Sequence, residues 1–194
     1  MNLPNKITLT RILLIPVFAV FFFVEAIPQN YFIACLVFII ASCTDFLDGH
    51  IARKRGLVTN LGKFLDPIAD KVLVSTAFIL LLTRPEALEV LWQGEWVMIY
   101  AGICVAVIVS GFRMVAASAG LVLAADMVGK VKTTFQDISI AMLLAGAGFF
   151  GIGAAERVFN GIGIVALGIA AVLTVWSGIS YIVKNRQVLG EKQQ

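Results

Sequence analysis

Two short apolar stretches, each carrying a pair of aspartates, decide how this chain is interpreted. The first is Asp45-Phe-Leu-Asp48-Gly49-His-Ile-Ala52-Arg53, and the second, after a gap of eight residues, is Gly62-Lys-Phe-Leu-Asp66-Pro-Ile-Ala-Asp70. Placing one aspartate at the centre of a membrane helix costs about 2.5–3.5 kcal/mol. Four carboxylates so close together therefore predict a compensating positive charge, and a bound cation is the natural candidate.

The composition predicts an all-α polytopic membrane protein that forms a single domain over residues 1–194. Of the 194 residues, 60% are hydrophobic and only 14% are charged, whereas soluble domains carry about 25% charged residues. The net charge of +3 is small, and no hydrophilic face gathers the basic residues, which argues against a nucleic-acid-binding protein. The three cysteines fall in apolar segments without metal-ligand spacing, so we interpret them as reduced packing residues.

Hydropathy divides the chain into six predicted transmembrane helices. They cover approximately residues 12–24, 31–55, 61–82, 96–112, 133–150 and 161–183. Ahead of them, residues 2–11 predict a short interfacial helix, because Asn5, Thr8 and Arg11 recur every three positions and share one face. A plain polar lead-in to the first span is the alternative interpretation of this segment.

The basic residues predict the orientation of these spans. One side of the membrane receives thirteen of them, namely Lys6, Arg11, Arg53, Lys54, Arg55, Lys63, Lys71, Arg113, Lys130, Lys132, Lys184, Arg186 and Lys192. The other side receives only Arg84 and Arg157. Because cytoplasmic loops carry an excess of Lys and Arg, we expect both termini and the aspartates to lie on the cytoplasmic side of the cell (inner or plasma) membrane.

The spacing of the aspartates predicts one oxygen-rich cluster. Asp45 and Asp48 are three residues apart and Asp66 and Asp70 are four apart, so each pair lies on one helix face. Adjacent antiparallel spans, residues 31–82, would bring the pairs together, and all-oxygen ligands suit Mg²⁺, Mn²⁺ or Ca²⁺. Two ions about 3.5–4 Å apart are the arrangement that assists phosphoryl transfer.

Small and basic residues between the carboxylates favour a diphosphate ligand. Gly49, Ala52 and Gly62 leave room beside the helices, and Arg53 offers a planar guanidinium to phosphate oxygens. From the residues alone, a carboxylate cluster used for cation or proton transport remains the alternative.

The complete pattern D-x2-D-G-x2-A-R-x8-G-x3-D-x3-D resembles the signature of the CDP-alcohol phosphatidyltransferases. The resemblance implies transfer of a phosphatidyl group from a CDP-linked lipid to an alcohol, with release of CMP, and usually a homodimer. It implies that Asp45, Asp48 and Asp66 bind two Mg²⁺ or Mn²⁺ ions, and that Asp70 completes the site and acts as the general base. It further implies a cytidine-diphosphate site formed by Gly49, Ala52, Arg53 and Gly62.

Three further stretches resemble the bacterial branch of this family that uses glycerol 3-phosphate. They are Asn2-x-Pro4-Asn5-x-x-Thr8-x-x-Arg11, Ser110-Gly111-Phe112-Arg113 and Gly129-Lys130-Val131-Lys132-Thr133. Arg113, Lys130 and Lys132 are therefore candidates to bind the phosphate of the acceptor, and ordinary flanking by positive charge is the alternative.

One departure from that branch concerns Val105 and Ala106, where its members usually carry an arginine followed by an acidic residue. The departure leaves open another acceptor, as in cardiolipin synthases or phosphatidylinositol phosphate synthases, and also a weakly active relative. Ala147 and Gly151 form a small-xxx-small pair that fits either dimer contact or packing within the chain.

Overall fold

The structure, a computed structural model, describes residues 3–55, 60–83, 127–149 and 151–184. Within these ranges the regular secondary structure is entirely helical. It consists of α1 (Leu3–Phe23), α2 (Asn30–Arg55), α3 (Asn60–Leu82), α4 (Met127–Gly148) and α5 (Ala154–Lys184). The predicted span over residues 96–112 and the amphipathic stretch that precedes α4 lie outside the described residues.

Helix α1 differs from the prediction, because it runs without a break from Leu3 to Phe23. Residues 3–11 therefore do not form a separate helix, and the position of this segment at the membrane interface stays a prediction. Asn5, Thr8 and Arg11 do share one face, but all three are buried in the bundle. The physical reason is that Thr8 and Arg11 find polar partners on α3 and α2, so this face turns inward.

Short turns connect α1 to α2 and α4 to α5. At the first, Gln29 has a positive φ of 57°, and the side-chain amide of Asn30 donates to the Phe22 carbonyl oxygen over 3.2 Å. At the second, Gly151 has a φ of 80°, and its N–H donates to Glu156 Oε2 over 2.9 Å. Glycine adopts this backbone region without steric cost.

The second turn also overturns the interpretation of Ala147 and Gly151 as a small-xxx-small pair on one helix. Helix α4 ends at Gly148, so the two residues do not lie on a common helix face. Helix α5 begins at Ala154, several residues before the predicted start, which makes the connection a tight one. Helices α4 and α5 consequently form an antiparallel hairpin with the most extensive pairing among the described helices.

The core lies where α1, α2, α3 and α4 meet. Helix α1 packs on α2 and α3, and α2 also contacts α4. The largest fully buried apolar side chains are Phe18, Phe22, Phe38, Phe78, Leu73, Leu81, Ile140 and Leu143. This interior holds the ends of α2 and α3 that carry the aspartates against the start of α1.

The outer faces are apolar. Along α5, large side chains are exposed at intervals of three and four residues, namely Ile162, Val165, Ile169, Val172, Trp176 and Ile179. Two helical segments, Asn5–Phe23 and Ala154–Ser177, are long and apolar enough to cross a membrane, and Asn30–Thr44 is a shorter apolar helix. Exposed apolar stripes of this kind fit contact with lipid rather than water.

Candidate active site

Four helix segments bring polar residues to one end of the bundle, which we call the motif end. It comprises residues 5–11 of α1, 42–55 of α2, 60–71 of α3 and 129–137 of α4. At the opposite end, aromatic rings pack together instead: Phe22 contacts Tyr31 edge-on with ring centroids 5.2 Å apart, and Phe32 contacts Phe149 at 4.7 Å. Among the described side chains, the two buried charged residues, Arg11 and Lys132, both lie at the motif end.

A short hydrogen bond joins α1 to the aspartate pair of α3. Thr8 Oγ1 donates to Asp66 Oδ1 over 2.6 Å, and the two residues are 58 apart in sequence. Thr8 is buried and Asp66 is partly buried. A hydrogen bond to a charged carboxylate is short and comparatively strong, so it fixes one Asp66 oxygen and leaves its remaining acceptor capacity for other ligands.

Arg11 makes a second polar contact across the bundle, from α1 to α2. Its Nε donates to Thr44 Oγ1 over 3.3 Å, and Thr44 Oγ1 in turn donates to the Ala41 carbonyl oxygen over 2.6 Å. Thr44 directly precedes Asp45. A fully buried guanidinium thus contacts the residue that directly precedes the motif.

Asp66 and Asp70 occupy successive turns of α3, which confirms the predicted helical placement of this pair. Lys71 Nζ lies 2.7 Å from Asp70 Oδ2, and both side chains are partly exposed. Gly62 is buried at the start of the same helix. The Asp70 carboxylate is therefore partly accessible from outside the packed core.

The other half of the motif lies on α2, whose helix continues through it to Arg55. The side chains of Asp45, Asp48, Gly49, Ala52 and Arg53 lie outside the described part of the structure, so the four-carboxylate cluster and the cytidine-diphosphate site remain predictions. Among the side chains that are described, no group of three or more His, Cys, Asp or Glu residues is close enough to hold a metal ion.

Of the two residues on α4 that are candidates to bind the acceptor phosphate, one is exposed and the other is buried. Lys130 is exposed, as a residue that merely flanks the membrane would be, whereas Lys132 is only 2% exposed. Simple positive flanking does not explain a buried ammonium, so the structure favours an internal role for Lys132. Arg113, Val105 and Ala106 lie outside the described residues.

Sequence reasoning missed two polar residues of α4. Asp137 Oδ2 accepts a hydrogen bond from Ser42 Oγ over 2.8 Å, which ties α4 to α2 one turn before Asp45. Gln136 is only 2% exposed. The signal that could have found Gln136 is its position four residues after Lys132, which places both on one helix face.

A family model for CDP-alcohol phosphatidyltransferases matches residues 1–176. The chain belongs to the CDP-alcohol phosphatidyltransferase family. It is therefore an enzyme of the transferase class, and the resemblance of the motif is confirmed by a match that covers most of the chain.

Members of this family from several bacteria align with nearly the whole chain. Three of them are each named CDP-diacylglycerol–glycerol-3-phosphate 3-phosphatidyltransferase. The protein from Bacillus subtilis (strain 168) is 42% identical, with 97% of each chain aligned. The protein from Pectobacterium atrosepticum is 36% identical with 98% of each chain aligned, and that from Rickettsia bellii is 37% identical with 93% of each aligned.

Proposed function

We propose that this phosphatidyltransferase transfers the phosphatidyl group of CDP-diacylglycerol to glycerol 3-phosphate, giving phosphatidylglycerophosphate and CMP in phospholipid biosynthesis. The observation that carries the proposal is the similarity over nearly the full length of both chains to bacterial relatives whose names state this reaction. The buried Lys132 at the motif end supports an acceptor that carries a phosphate.

The donor set at the motif end fits divalent ions. Asp66 and Asp70 offer carboxylate oxygens on one face of α3, and Asp66 is already oriented by Thr8. In the proposal Asp45, Asp48, Asp66 and Asp70 hold two Mg²⁺ or Mn²⁺ ions, since hard cations prefer oxygen ligands. Bound there, the ions would neutralise the diphosphate and the departing CMP.

The acceptor hydroxyl attacks the phosphorus that bears the diacylglycerol. A new oxygen–phosphorus bond forms while the bond from that phosphorus to the bridging oxygen of the diphosphate breaks, and CMP departs with the electron pair. The hydroxyl proton passes to the Asp70 carboxylate, which is partly exposed beside Lys71. Asp66, held by Thr8, keeps a fixed orientation during the reaction.

The remaining residues bind and orient the two substrates. Gly49, Ala52, Arg53 and Gly62 are proposed to hold the cytidine diphosphate, with Arg53 on its phosphates. In the acceptor site, Arg113, Lys130 and Lys132 bind the glycerol 3-phosphate. Asn5, Thr8 and Arg11 support the site from α1, where all three are buried.

The arrangement in the membrane belongs to the same proposal. The chain crosses the cell membrane six times, with both termini and the active site on the cytoplasmic side, and it forms a homodimer. The distribution of thirteen basic residues against two supports this orientation. Lipid tails then enter sideways from the bilayer, while the water-soluble acceptor arrives from the cytoplasm.

CMP release from the purified protein tests the choice of acceptor. CDP-diacylglycerol and Mg²⁺ or Mn²⁺ are supplied with glycerol 3-phosphate, inositol phosphate or phosphatidylglycerol in parallel. We expect CMP mainly with glycerol 3-phosphate. Release only with another acceptor would contradict glycerol 3-phosphate as the acceptor. Release with none would contradict the proposed reaction and favour a weakly active relative.

Removal of metal ions tests the cofactor. We expect EDTA to stop CMP release and excess Mg²⁺ or Mn²⁺ to restore it, because the carboxylates alone repel the diphosphate. Full activity after EDTA treatment and desalting, with the metal content measured in the same sample, would contradict the two-ion site.

A further inference from the structure

Gln136 presents a buried polar atom that the described fold does not satisfy. Its side chain is 2% exposed, and its Oε1 has no hydrogen-bond partner in the part of the chain that the structure describes. An amide oxygen kept away from water without a partner is strongly unfavourable. A donor that arrives from elsewhere, such as a bound substrate, would satisfy it.

The contacts of the neighbouring residues show on which side of α4 Gln136 lies. Asp137 faces α2 through Ser42, and Ser139 faces α5, since its hydroxyl donates to the Gly163 carbonyl oxygen over 2.9 Å. Val131 and Ile138 lie on the exposed side of α4. Successive helix residues are about 100° apart, so Gln136 lies on the inner arc between α2 and α5, away from the exposed side.

The same inner face carries Lys132 one turn earlier, and that side chain is also buried. Residues four apart on a helix have Cβ atoms about 5–6 Å from each other, so a single small acceptor can touch both. Gln136 also neighbours Asp137, whose partner Ser42 is one turn from Asp45. A cation and a neutral hydrogen-bond acceptor thus lie together near the motif.

We propose that Gln136 Oε1 accepts a hydrogen bond from the non-reacting hydroxyl of the acceptor alcohol, and that Gln136 is thereby a specificity-determining residue for a polyol phosphate. The inference rests on the proposed function, with Lys132 on the phosphate of the same molecule. A glutamine suits this position because it accepts from a hydroxyl without adding negative charge beside a phosphate, as a carboxylate would.

An acceptor that lacks one hydroxyl tests this contact. The full-length protein is assayed with CDP-diacylglycerol, Mg²⁺ and either glycerol 3-phosphate or 3-hydroxypropyl phosphate, which lacks the middle hydroxyl. We expect the wild type to prefer glycerol 3-phosphate by about tenfold or more in kcat/KM, as a site built to bind a hydroxyl does. Gln136→Met, similar in size but without the oxygen, should bring this ratio close to one.

Two further variants separate recognition from folding. Ser139→Ala removes a buried polar group on the adjacent turn of α4 whose partner is within the fold, and it should keep the tenfold preference. Gln136→Glu retains an acceptor oxygen, so it should keep a preference even if its rate falls. Gln136→Leu also lacks the oxygen and should lose the preference, so it carries the test should Gln136→Met fail to fold.

The outcomes distinguish the inference from the function on which it rests. A wild type that uses both acceptors equally, or a Gln136→Met variant that keeps the full preference, overturns the role of Gln136 alone. A wild type that releases no CMP with either acceptor overturns the glycerol 3-phosphate reaction, and the inference with it.

Discussion

At the scale of single residues, the motif end is organised by polar side chains that reach between helices. Thr8 on α1 contacts Asp66 on α3, Arg11 on α1 contacts Thr44 on α2, and Ser42 on α2 contacts Asp137 on α4. Within an apolar bundle such contacts are maintained because an unpaired polar group is costly there. They fix the relative rotation of α1, α2, α3 and α4 where catalysis is proposed.

Replacement of Thr8 by valine tests whether the bond to Asp66 serves catalysis. The variant keeps the shape of the side chain but removes the donor, and a hydrogen bond to a charged group contributes about 1.5–3 kcal/mol. We expect turnover to fall by about tenfold or more while the protein still folds, measured as CMP release and by thermal unfolding in detergent.

Thr10→Val provides the matched control. Thr10 is exposed on the same helix, and its hydroxyl donates only to the Lys6 carbonyl oxygen of its own turn. Its activity should stay close to that of the wild type. Equal losses in the Thr8 and Thr10 variants would show that valine in this part of α1 harms the protein generally, against a specific role for Thr8.

The sequence predicts the position of some site residues in the fold but not of others. The placement of Asp66 and Asp70 on one face of α3 follows from spacing alone, because helix geometry is local. Gln136 and the Ser42–Asp137 bond do not follow, since they depend on the rotation of α4 against α2. That rotation is determined by packing of residues far apart in sequence, such as Cys35 and Ala141.

At the scale of helices, close packing of α4 on α5 is allowed by glycine. A Cβ atom built on Gly163 would lie 2.7 Å from Leu143 Cγ and 3.2 Å from the Leu143 backbone nitrogen, so the two helices are too near for a side chain there. Gly168, further along α5, has nothing within 4 Å of such an atom. The two glycines therefore have different roles.

Alanine substitutions at these positions test the packing. Gly163→Ala forces α4 and α5 apart or displaces Leu143, and overpacking of this kind costs about 1–3 kcal/mol. We expect a clearly lower unfolding temperature in detergent for Gly163→Ala and little change or a slight increase for Gly168→Ala. A Gly163→Ala protein as stable as the wild type would contradict the close contact.

Helix boundaries show what hydropathy predicts and what it does not. The bounds of α2 and α3 agree with the predicted spans to within about a residue, because apolar runs with clear ends define them. Helix α1 was predicted to be divided near Arg11, since polar residues on one face resemble an interfacial segment. The division is absent because those residues pair inside the bundle.

At the scale of the whole molecule, the described residues place the buried charged side chains at one end and clustered aromatic rings at the other, with a mainly apolar core and apolar outer faces. This distribution suits a membrane enzyme whose reaction takes place at one surface of the bilayer. The family and helical character were predictable from the motif and the composition. The location of the polar residues around the motif was not, because it depends on contacts among four helices.

Labelling of introduced cysteines tests the orientation in the membrane. In a variant without the three native cysteines, Glu89→Cys and Lys192→Cys are treated in intact cells with a thiol reagent that does not cross membranes. We expect Glu89→Cys to react and Lys192→Cys to react only after lysis, because the basic residues predict a cytoplasmic C-terminus. Labelling of both positions from the same side would contradict six spans.

The most direct test of the central claim follows labelled glycerol 3-phosphate into lipid. Purified wild-type protein with CDP-diacylglycerol and Mg²⁺ should form labelled phosphatidylglycerophosphate and an equal amount of CMP. Asp70→Asn should lower the rate by at least about 10²-fold, since loss of a general base costs about 10²–10⁴-fold. No labelled lipid from the wild type, or a near-normal rate from a folded Asp70→Asn protein, would contradict the account.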